Sequence, residues 1–242
     1  MDDAAVEQIL SLLAFAGLVA VAATWLGALA ERLEVGRLGS AIAGLVDGAE
    51  IGLAWVVAAT AVGGSLYFSE VAGYLPCVLC WFQRIAMYPM VILLAVGIVR
   101  RERVIAPYAL FLAAAGLVVA IYHYQLEWFP DQSSICSTTA SVPCHVVWFK
   151  HFGVSTIPFL AGSGFLMIGT LMAIAWRNER RAALAWSDDG DPAAAAPVGT
   201  EPAERDADRP SGLLVGAVAV VALALVGGGL AFVALGDDEE AA

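Results

Sequence analysis

The stretch LPCVLCWFQRIAMYPMVILLAVGIV, residues 75–99, joins a C-x-x-C cysteine pair to an apolar run. A helix that spans a membrane needs about 20 mostly apolar residues. The run Leu79–Val99 has this length, and Arg84 is its one charged residue. The stretch therefore predicts a transmembrane helix that carries a cysteine pair at its start.

Five further runs of about 18 or more residues contain no charged side chain, and each predicts another span. They are Ile9–Ala30, Ile51–Ser69, Val104–Tyr122, Val154–Trp176 and Ser211–Gly236. Of the 242 residues, 60% are hydrophobic and 14% are charged, whereas an ordinary soluble domain has about 25% charged residues. This composition excludes a soluble domain, a disordered chain and a secreted disulfide scaffold, and it indicates an all-α integral membrane protein.

The positions of the basic residues predict how these spans are oriented. With alternating spans, ten of the twelve Lys and Arg residues fall on one side of the membrane. These ten are Arg32, Arg37, Arg100, Arg101, Arg103, Arg177, Arg180, Arg181, Arg205 and Arg209. Loops rich in basic residues face the cytoplasm. We therefore expect both termini and the loops Glu70–Leu75 and Gln125–Gly153 to lie outside the plasma membrane, and the first run to be a retained span rather than a signal peptide.

The acidic residues concentrate in two hydrophilic segments. The net charge is −11, and most of it lies between the fifth and sixth spans and in the tail Asp237–Glu240. Such segments, nearly free of lysine, argue against a nucleic-acid partner. They are typical of a salt-rich environment or of a disordered acidic linker, and the sequence leaves this choice open.

All four cysteines are predicted on the outer side, in two pairs. Cys77 and Cys80 form the C-x-x-C motif, and seven residues separate Cys136 from Cys144. Disulfides persist outside the cytoplasm. Three interpretations stay open: two structural disulfides, a zinc site with four cysteine ligands, and thiol–disulfide exchange between the pairs. The C-x-x-C spacing favours exchange, because it is typical of redox-active cysteines.

Arg84 supports the redox interpretation. It lies four residues after Cys80, on the same helix face, and an arginine in an apolar helix is costly enough to indicate a function. Cys80 itself lies in the first turn, where the helix N-terminus carries partial positive charge. Both influences favour a thiolate, the nucleophile that disulfide exchange requires.

The electrons from such a dithiol need an acceptor, and the chain contains no nucleotide, haem or iron–sulfur motif. A lipid-soluble quinone is the simplest acceptor, and Arg84 is able to donate a hydrogen bond to a quinone oxygen. His123, at the outer end of the fourth span, is either an interfacial histidine or a second donor at the quinone site. No metal cofactor is expected.

Several of these segments resemble the disulfide bond formation protein B (DsbB) family, in its short-loop form. Leu75–Arg84 together with Met87–Tyr88–Pro89 is similar to the family signature. His123, Pro130 and Cys136 resemble the approach to the second cysteine pair, and Phe152–Phe159 (FGVSTIPF) resembles the entry into the last core helix. The resemblance covers Ile51–Arg177.

The resemblance implies a fold and an activity. The fold is a transmembrane four-helix bundle, here with one extra transmembrane helix at each end. The activity is oxidation of an extracytoplasmic thioredoxin-fold (DsbA-like) partner, with electrons passed to a quinone of the ubiquinone or menaquinone type. Cys136 would be attacked by the partner and Cys144 would resolve the mixed disulfide. Cys77 would pass electrons to Cys80, which contacts the quinone beside Arg84 and His123.

The same resemblance predicts the domain organisation and leaves two rival functions. Residues 1–50 are expected to hold the first helix and a cytoplasmic linker, residues 51–177 the redox core, residues 178–210 a flexible acidic linker, and residues 211–242 the last helix and tail. One rival is a relative of vitamin K epoxide reductase. In that family the C-x-x-C follows the loop pair, whereas in this chain it precedes the loop pair. The other is a membrane scaffold with structural disulfides.

Overall fold

A computed structural model describes residues 3–33, 44–130 and 142–188, together with Ala41 and Cys136. Five helices account for most of these residues: α1 (Asp3–Arg32), α2 (Glu50–Leu66), α3 (Val78–Arg100), α4 (Ala106–Trp128) and α5 (Ile157–Asp188). A π-helical turn, Tyr67–Val71, continues α2, and a 3-10 turn, Arg103–Ile105, precedes α4.

Five helical segments of the described residues are long and apolar enough to cross a membrane. The all-α membrane fold and five of the six predicted spans are thereby confirmed. The predicted span Ser211–Gly236 lies outside the described residues, as do most of the predicted acidic linker and the tail.

Helices α2 to α5 form a four-membered ring. Each helix packs against the next along the chain, and α5 closes the ring against α2. Met90, Leu94, Phe165 and Ile168 fill the interior and are fully buried. Gly116 of α4 lets this packing form, because a Cβ atom there would collide with the Phe165 ring. Such close approach at small residues is typical of helices in membranes.

Helix α1 lies outside this ring, against α5. Its Trp25 indole N–H donates a hydrogen bond of 3.1 Å to the Thr170 hydroxyl. Nearer the N-terminus, the rings of Phe15 and Phe159 lie 5.2 Å apart. Helix α1 thus contacts α5 from Phe15 to Trp25.

Polar contacts close the end of the bundle that carries the basic residues. Glu50 is 1% exposed at the start of α2, and the amide of Asn178 donates to it over 3.1 Å. Arg103 lies 3.7 Å from Glu50 and 3.3 Å from Asp47. Because a buried carboxylate needs such partners, these contacts tie the starts of α2 and α4 to the end of α5.

One predicted boundary needs correction. The flexible linker was expected to begin at residue 178, whereas α5 continues to Asp188. The extension has a physical reason, since the residues after Arg177 are mostly Glu, Arg, Ala and Leu, which favour helix strongly. The Arg180 guanidinium also lies 4.1 Å above the Trp176 ring, one turn earlier.

Candidate active site

The C-x-x-C pair lies at the N-terminus of α3. Cys77 has extended backbone angles and is the N-cap, and its sulfur accepts a hydrogen bond from the Cys80 backbone N–H over 3.3 Å. Both cysteines are free thiols with their sulfurs 3.0 Å apart. Cys77 is 4% exposed, whereas Cys80 is partly exposed. Cys77 therefore lies inside the protein, and Cys80 is the more exposed of the two.

The surroundings of Cys77 favour its thiolate. The hydrogen bond from the Cys80 thiol lowers the pKa of Cys77, and the neighbouring His123 acts in the same direction. Burial opposes these effects but does not outweigh them. The sequence predicted a thiolate stabilised by the helix N-terminus at Cys80, and the structure instead places the sulfur of Cys77 on the helix N–H group.

The second cysteine pair is a disulfide beside the first. Cys136 and Cys144 are bonded, with their Cα atoms 5.7 Å apart. Both are buried in an apolar cluster that also contains Cys77, Leu79 and Leu126. The structure thus brings the two pairs together, which the sequence alone only implied through the family resemblance.

His123 links the two pairs. It is 3% exposed, and its Nε2 atom lies 3.7 Å from the Cys77 sulfur and 3.1 Å from the Cys144 carbonyl oxygen. Its Nδ1 atom lies 3.2 Å from the amide nitrogen of Gln83. Both ring nitrogens are therefore engaged inside the protein. These contacts favour a role in the thiol chemistry over the predicted contact with a lipid-soluble quinone.

Arg84 is held in place by α2. Its Nε and Nη2 atoms donate to the Ser65 hydroxyl and carbonyl, each over 2.9 Å. The guanidinium carbon lies 5.3 Å from the centre of the Trp81 ring. Among the described residues, Nη1 has no hydrogen-bond partner, so the cation keeps a donor for a ligand. Arg84 lies four residues after Cys80, on the same face of α3.

A small cavity of about 10 Å³ adjoins both cysteine pairs, which is near the lower limit for a single water molecule. Its walls include Cys77, Cys80, His123, Cys144 and Glu127. One carboxylate oxygen of Glu127 is buried without a hydrogen-bond partner among the described residues. An unpaired buried oxygen can accept a proton or a water hydrogen bond.

A metal ion would find ligands here only at the free pair. Within the described residues, the one group with suitable spacing consists of Cys77, Cys80 and His123, whose ligand atoms lie within 4.8 Å of one another. The four-cysteine zinc site weighed above does not form, because Cys136 and Cys144 are bonded to each other.

The outer aromatic residues are positioned by one another. The Trp148 ring stacks on the Tyr74 ring at 5.0 Å, and Phe149 lies 5.3 Å from Phe68. Both contacts join the segment after Cys144 to the segment before Cys77.

Several polar residues at this end of the bundle were not predicted from the sequence. Gln83 belongs to the quoted signature, and its place three residues after Cys80 was a usable signal. Ser65 and Glu127 carry no local signal, since a serine or glutamate near a span end is common. Glu7 and His151 lie 2.7 Å apart, and only the packing of α1 against the bundle reveals their pairing.

A helical membrane protein with two adjoining cysteine pairs, one bonded and one free, falls in the class of membrane thiol oxidoreductases. Residues 48–176 match the family described as "Disulfide bond formation protein DsbB". The chain belongs to this family. The resemblance seen in the sequence is confirmed, and the chain is assigned to this family rather than to the vitamin K epoxide reductases.

Curated relatives agree with this assignment. A "Probable disulfide formation protein" of Oceanobacillus iheyensis is 42% identical over 134 residues, which cover 54% of this chain and 91% of the relative. "Disulfide bond formation protein C" of Bacillus subtilis is 41% identical over 120 residues, or 50% of this chain and 87% of the relative. No solved structure matches the chain.

Proposed function

We propose that the chain oxidises the dithiol of an extracytoplasmic thioredoxin-fold protein and passes the electrons to a membrane quinone. One observation carries the proposal: both cysteine pairs lie in a single buried cluster, with Cys80 at its partly exposed edge. Such an arrangement gives electrons a route from the mobile partner, through the loop pair, to the bilayer.

The proposed reaction begins at the loop disulfide. A thiolate of the partner attacks Cys136, forms a mixed disulfide and releases Cys144 as a thiolate. The second partner thiol then attacks the partner's own sulfur in the mixed disulfide, which leaves the partner oxidised and Cys136 and Cys144 reduced. Two electrons have moved to the loop, and the two thiol protons go to solvent or to the new thiols.

Exchange between the two pairs follows. A thiolate of the loop attacks the Cys77–Cys80 disulfide, and the second loop thiol displaces the helix sulfur. The loop disulfide forms again and the helix pair is left as a dithiol. His123 contacts both pairs, and it is suited to stabilise the thiolate formed at Cys77.

The residues around Cys80 fit a quinone. Exposed apolar surface beside it is provided by Trp81, Phe82 and Ile85. The Arg84 guanidinium is held there by its hydrogen bond to Ser65. The chemistry that a quinone supplies when bound is acceptance of two electrons and two protons. Arg84 would orient a quinone oxygen and stabilise negative charge that grows on it. Cys80 would present its sulfur at the edge of the bilayer.

The sidedness and the domain division are part of the proposal. The loop between α3 and α4 and the last turns of α5 carry most of the described basic residues, and basic loops face the cytoplasm. The cysteine pairs lie at the other end and are assigned to the outer side, as are the termini. Residues 51–177 would be the redox core, with the helices before and after it as additions.

Mixing the purified full chain with a reduced thioredoxin-fold protein and a quinone tests the proposal. Quinone absorbance should fall in proportion to the partner disulfide formed, and the reaction should require Cys80. A chain with Cys80→Ser that still reduces quinone would refute the proposed electron route. Inertness of all four cysteines toward mild reductant would instead support the structural scaffold.

Cysteine labelling in intact cells tests the orientation. In a chain whose four native cysteines are replaced by serine, a membrane-impermeant maleimide should modify a His145→Cys side chain, because this exposed position is assigned to the outer side. Modification that requires permeabilised cells would place the loop in the cytoplasm and overturn the orientation. A cysteine introduced at Glu102, between α3 and α4, is the matched control and should react only after permeabilisation.

A further inference from the structure

Glu7 of α1 connects the two cysteine-bearing segments. It is 6% exposed and lies outside the matched residues 48–176. Its carboxylate accepts a hydrogen bond of 2.6 Å from the Tyr74 hydroxyl and lies 2.7 Å from the His151 ring nitrogen Nε2. Tyr74 is three residues before Cys77, and His151 is seven residues after Cys144. One carboxylate thus contacts both segments.

Neighbouring contacts make this attachment rigid. The Tyr74 ring stacks on Trp148, with an angle of 12° between the ring planes. His151 and Ser155 exchange two backbone hydrogen bonds, of 3.0 and 2.9 Å. The Ser155 hydroxyl donates to Ser11 of α1 over 2.8 Å. The chain after Cys144 is therefore fixed to α1 at two points, and Tyr74 joins it to the chain before Cys77.

The chemistry of Glu7 suits this position. A buried carboxylate is costly unless it is paired and hydrogen-bonded, so Glu7 strongly favours the arrangement in which Tyr74 and His151 are both present. The hydrogen bond to Glu7 and burial together raise the pKa of Tyr74 to about 12, so Tyr74 stays a donor at every physiological pH. Displacement of either segment would leave the carboxylate short of a partner.

We propose that Glu7 is a positioning residue for exchange between the two cysteine pairs, which makes α1 a part of the redox apparatus. Glu7 acts through Tyr74 and His151, and its hydrogen-bond partners among the described residues include no cysteine. It holds the loop cysteines and the helix cysteines at a fixed relative position, so that a loop thiolate is able to attack the Cys77–Cys80 disulfide. This inference rests on the proposed function, and it concerns the exchange step alone.

The test follows electrons between the pairs without quinone. The oxidised full chain is mixed with a reduced thioredoxin-fold protein, quenched in acid at short times and alkylated, and mass spectrometry then counts loop and helix thiols. Glu7→Ala should slow the appearance of helix thiols about tenfold, the loss expected for a charge-assisted hydrogen bond. The earlier appearance of loop thiols should not change.

Matched variants separate positioning from folding. Asp3 lies one turn before Glu7 and accepts a 2.6 Å hydrogen bond from the Tyr67 hydroxyl at an exposed position. Asp3→Ala should change the exchange rate less than about twofold, as exposed polar contacts contribute little. Glu7→Gln keeps an acceptor oxygen, and it should recover part of the rate even if Glu7→Ala reduces the yield of folded chain.

A combination of variants gives the sharpest outcome. Tyr74→Phe keeps the stacked ring and loses the hydroxyl, and His151→Gln loses the ring nitrogen. Each should slow exchange in the parent chain and add nothing once Glu7 is replaced by Ala. The proposal is overturned if Glu7→Ala exchanges as fast as Asp3→Ala, or if both half-reactions slow equally. A parent chain without any transfer to the helix pair would refute the proposed function as well, whereas failure of quinone reduction alone would not affect this result.

Discussion

Replacement of His123 should raise the pKa of the Cys77 thiol. The Nε2 atom of His123 lies 3.7 Å from the Cys77 sulfur, and the histidine is among the causes that lower the pKa of Cys77, after the hydrogen bond from Cys80. Removal of the imidazole takes away one of these stabilising contacts and leaves the others in place.

The size of the effect follows from the contact. A buried hydrogen bond to a charged group contributes about 1.5 to 3 kcal/mol, and one pKa unit corresponds to about 1.4 kcal/mol. His123→Ala should therefore raise the pKa of Cys77 by about 1 to 2. His123→Gln retains an amide group able to donate to the Cys144 carbonyl but loses the imidazole beside the Cys77 sulfur, so its effect should be intermediate.

Ultraviolet absorbance of the thiolate measures this pKa. In a chain with Cys136→Ser and Cys144→Ser, only the helix pair titrates as thiol, and the difference between reduced and oxidised samples is recorded against pH. His145→Ala is the control, because His145 is adjacent to residue 144 and exposed. An unchanged titration curve in His123→Ala, with the chain folded by circular dichroism, would refute the contribution of His123.

Four further results are expected. Arg84→Ala should raise the apparent KM for quinone about tenfold, since a charge-assisted hydrogen bond is lost, and leave reduction of the loop pair by the partner unchanged; an unchanged KM contradicts the assigned role. Cys136→Ser should stop oxidation of the partner while quinol still reduces the helix pair, and continued partner oxidation would redirect the attack to another cysteine. Because the pKa of Cys77 is lowered on folding, its thiolate stabilises the reduced chain fully above the ordinary thiol pKa of about 8.5, and this stability is lost as the pH falls through the lowered value. The difference in Tm between reduced and oxidised chains should follow that pH dependence, and a constant difference contradicts it. Equilibration with glutathione buffers should give the helix pair a higher reduction potential than the loop pair, and the reverse order would contradict the proposed direction of electron flow.

The fold was predictable because the bilayer imposes a simple rule on the sequence. A span must satisfy its backbone polar groups internally, so each long apolar run becomes a helix. The same rule located five of the helices, and the starts of α2 to α5 lie within three residues of the predicted ones. The C-terminal ends of two helices were predicted less well. Helix α4 continues through His123 to Trp128 and α5 continues to Asp188, because polar residues with good helix propensity extend each helix beyond its apolar run.

Part of the candidate site was predictable from the sequence. What separates the predictable contacts from the others is whether they form within one helix or between helices. The C-x-x-C motif and Arg84 are local, because helix geometry alone places them near one another. The contact between His123 and Cys77 depends on how α4 packs against α3, and the contact between Glu7 and His151 depends on how α1 packs against α5. No local pattern encodes those two packing choices.

The contacts of Cys77 also bear on the direction of electron flow. A dithiol whose thiolate is stabilised is harder to oxidise, so its disulfide is a stronger oxidant, an effect known for thiol oxidants with a stabilised reduced form. Cys77 receives a helix N–H, a thiol hydrogen bond and the neighbouring imidazole. The loop pair lies in the same apolar cluster. Electrons from the partner should therefore pass from the loop pair to the helix pair. The N-terminus of α3, which is capped by Cys77, favours that direction.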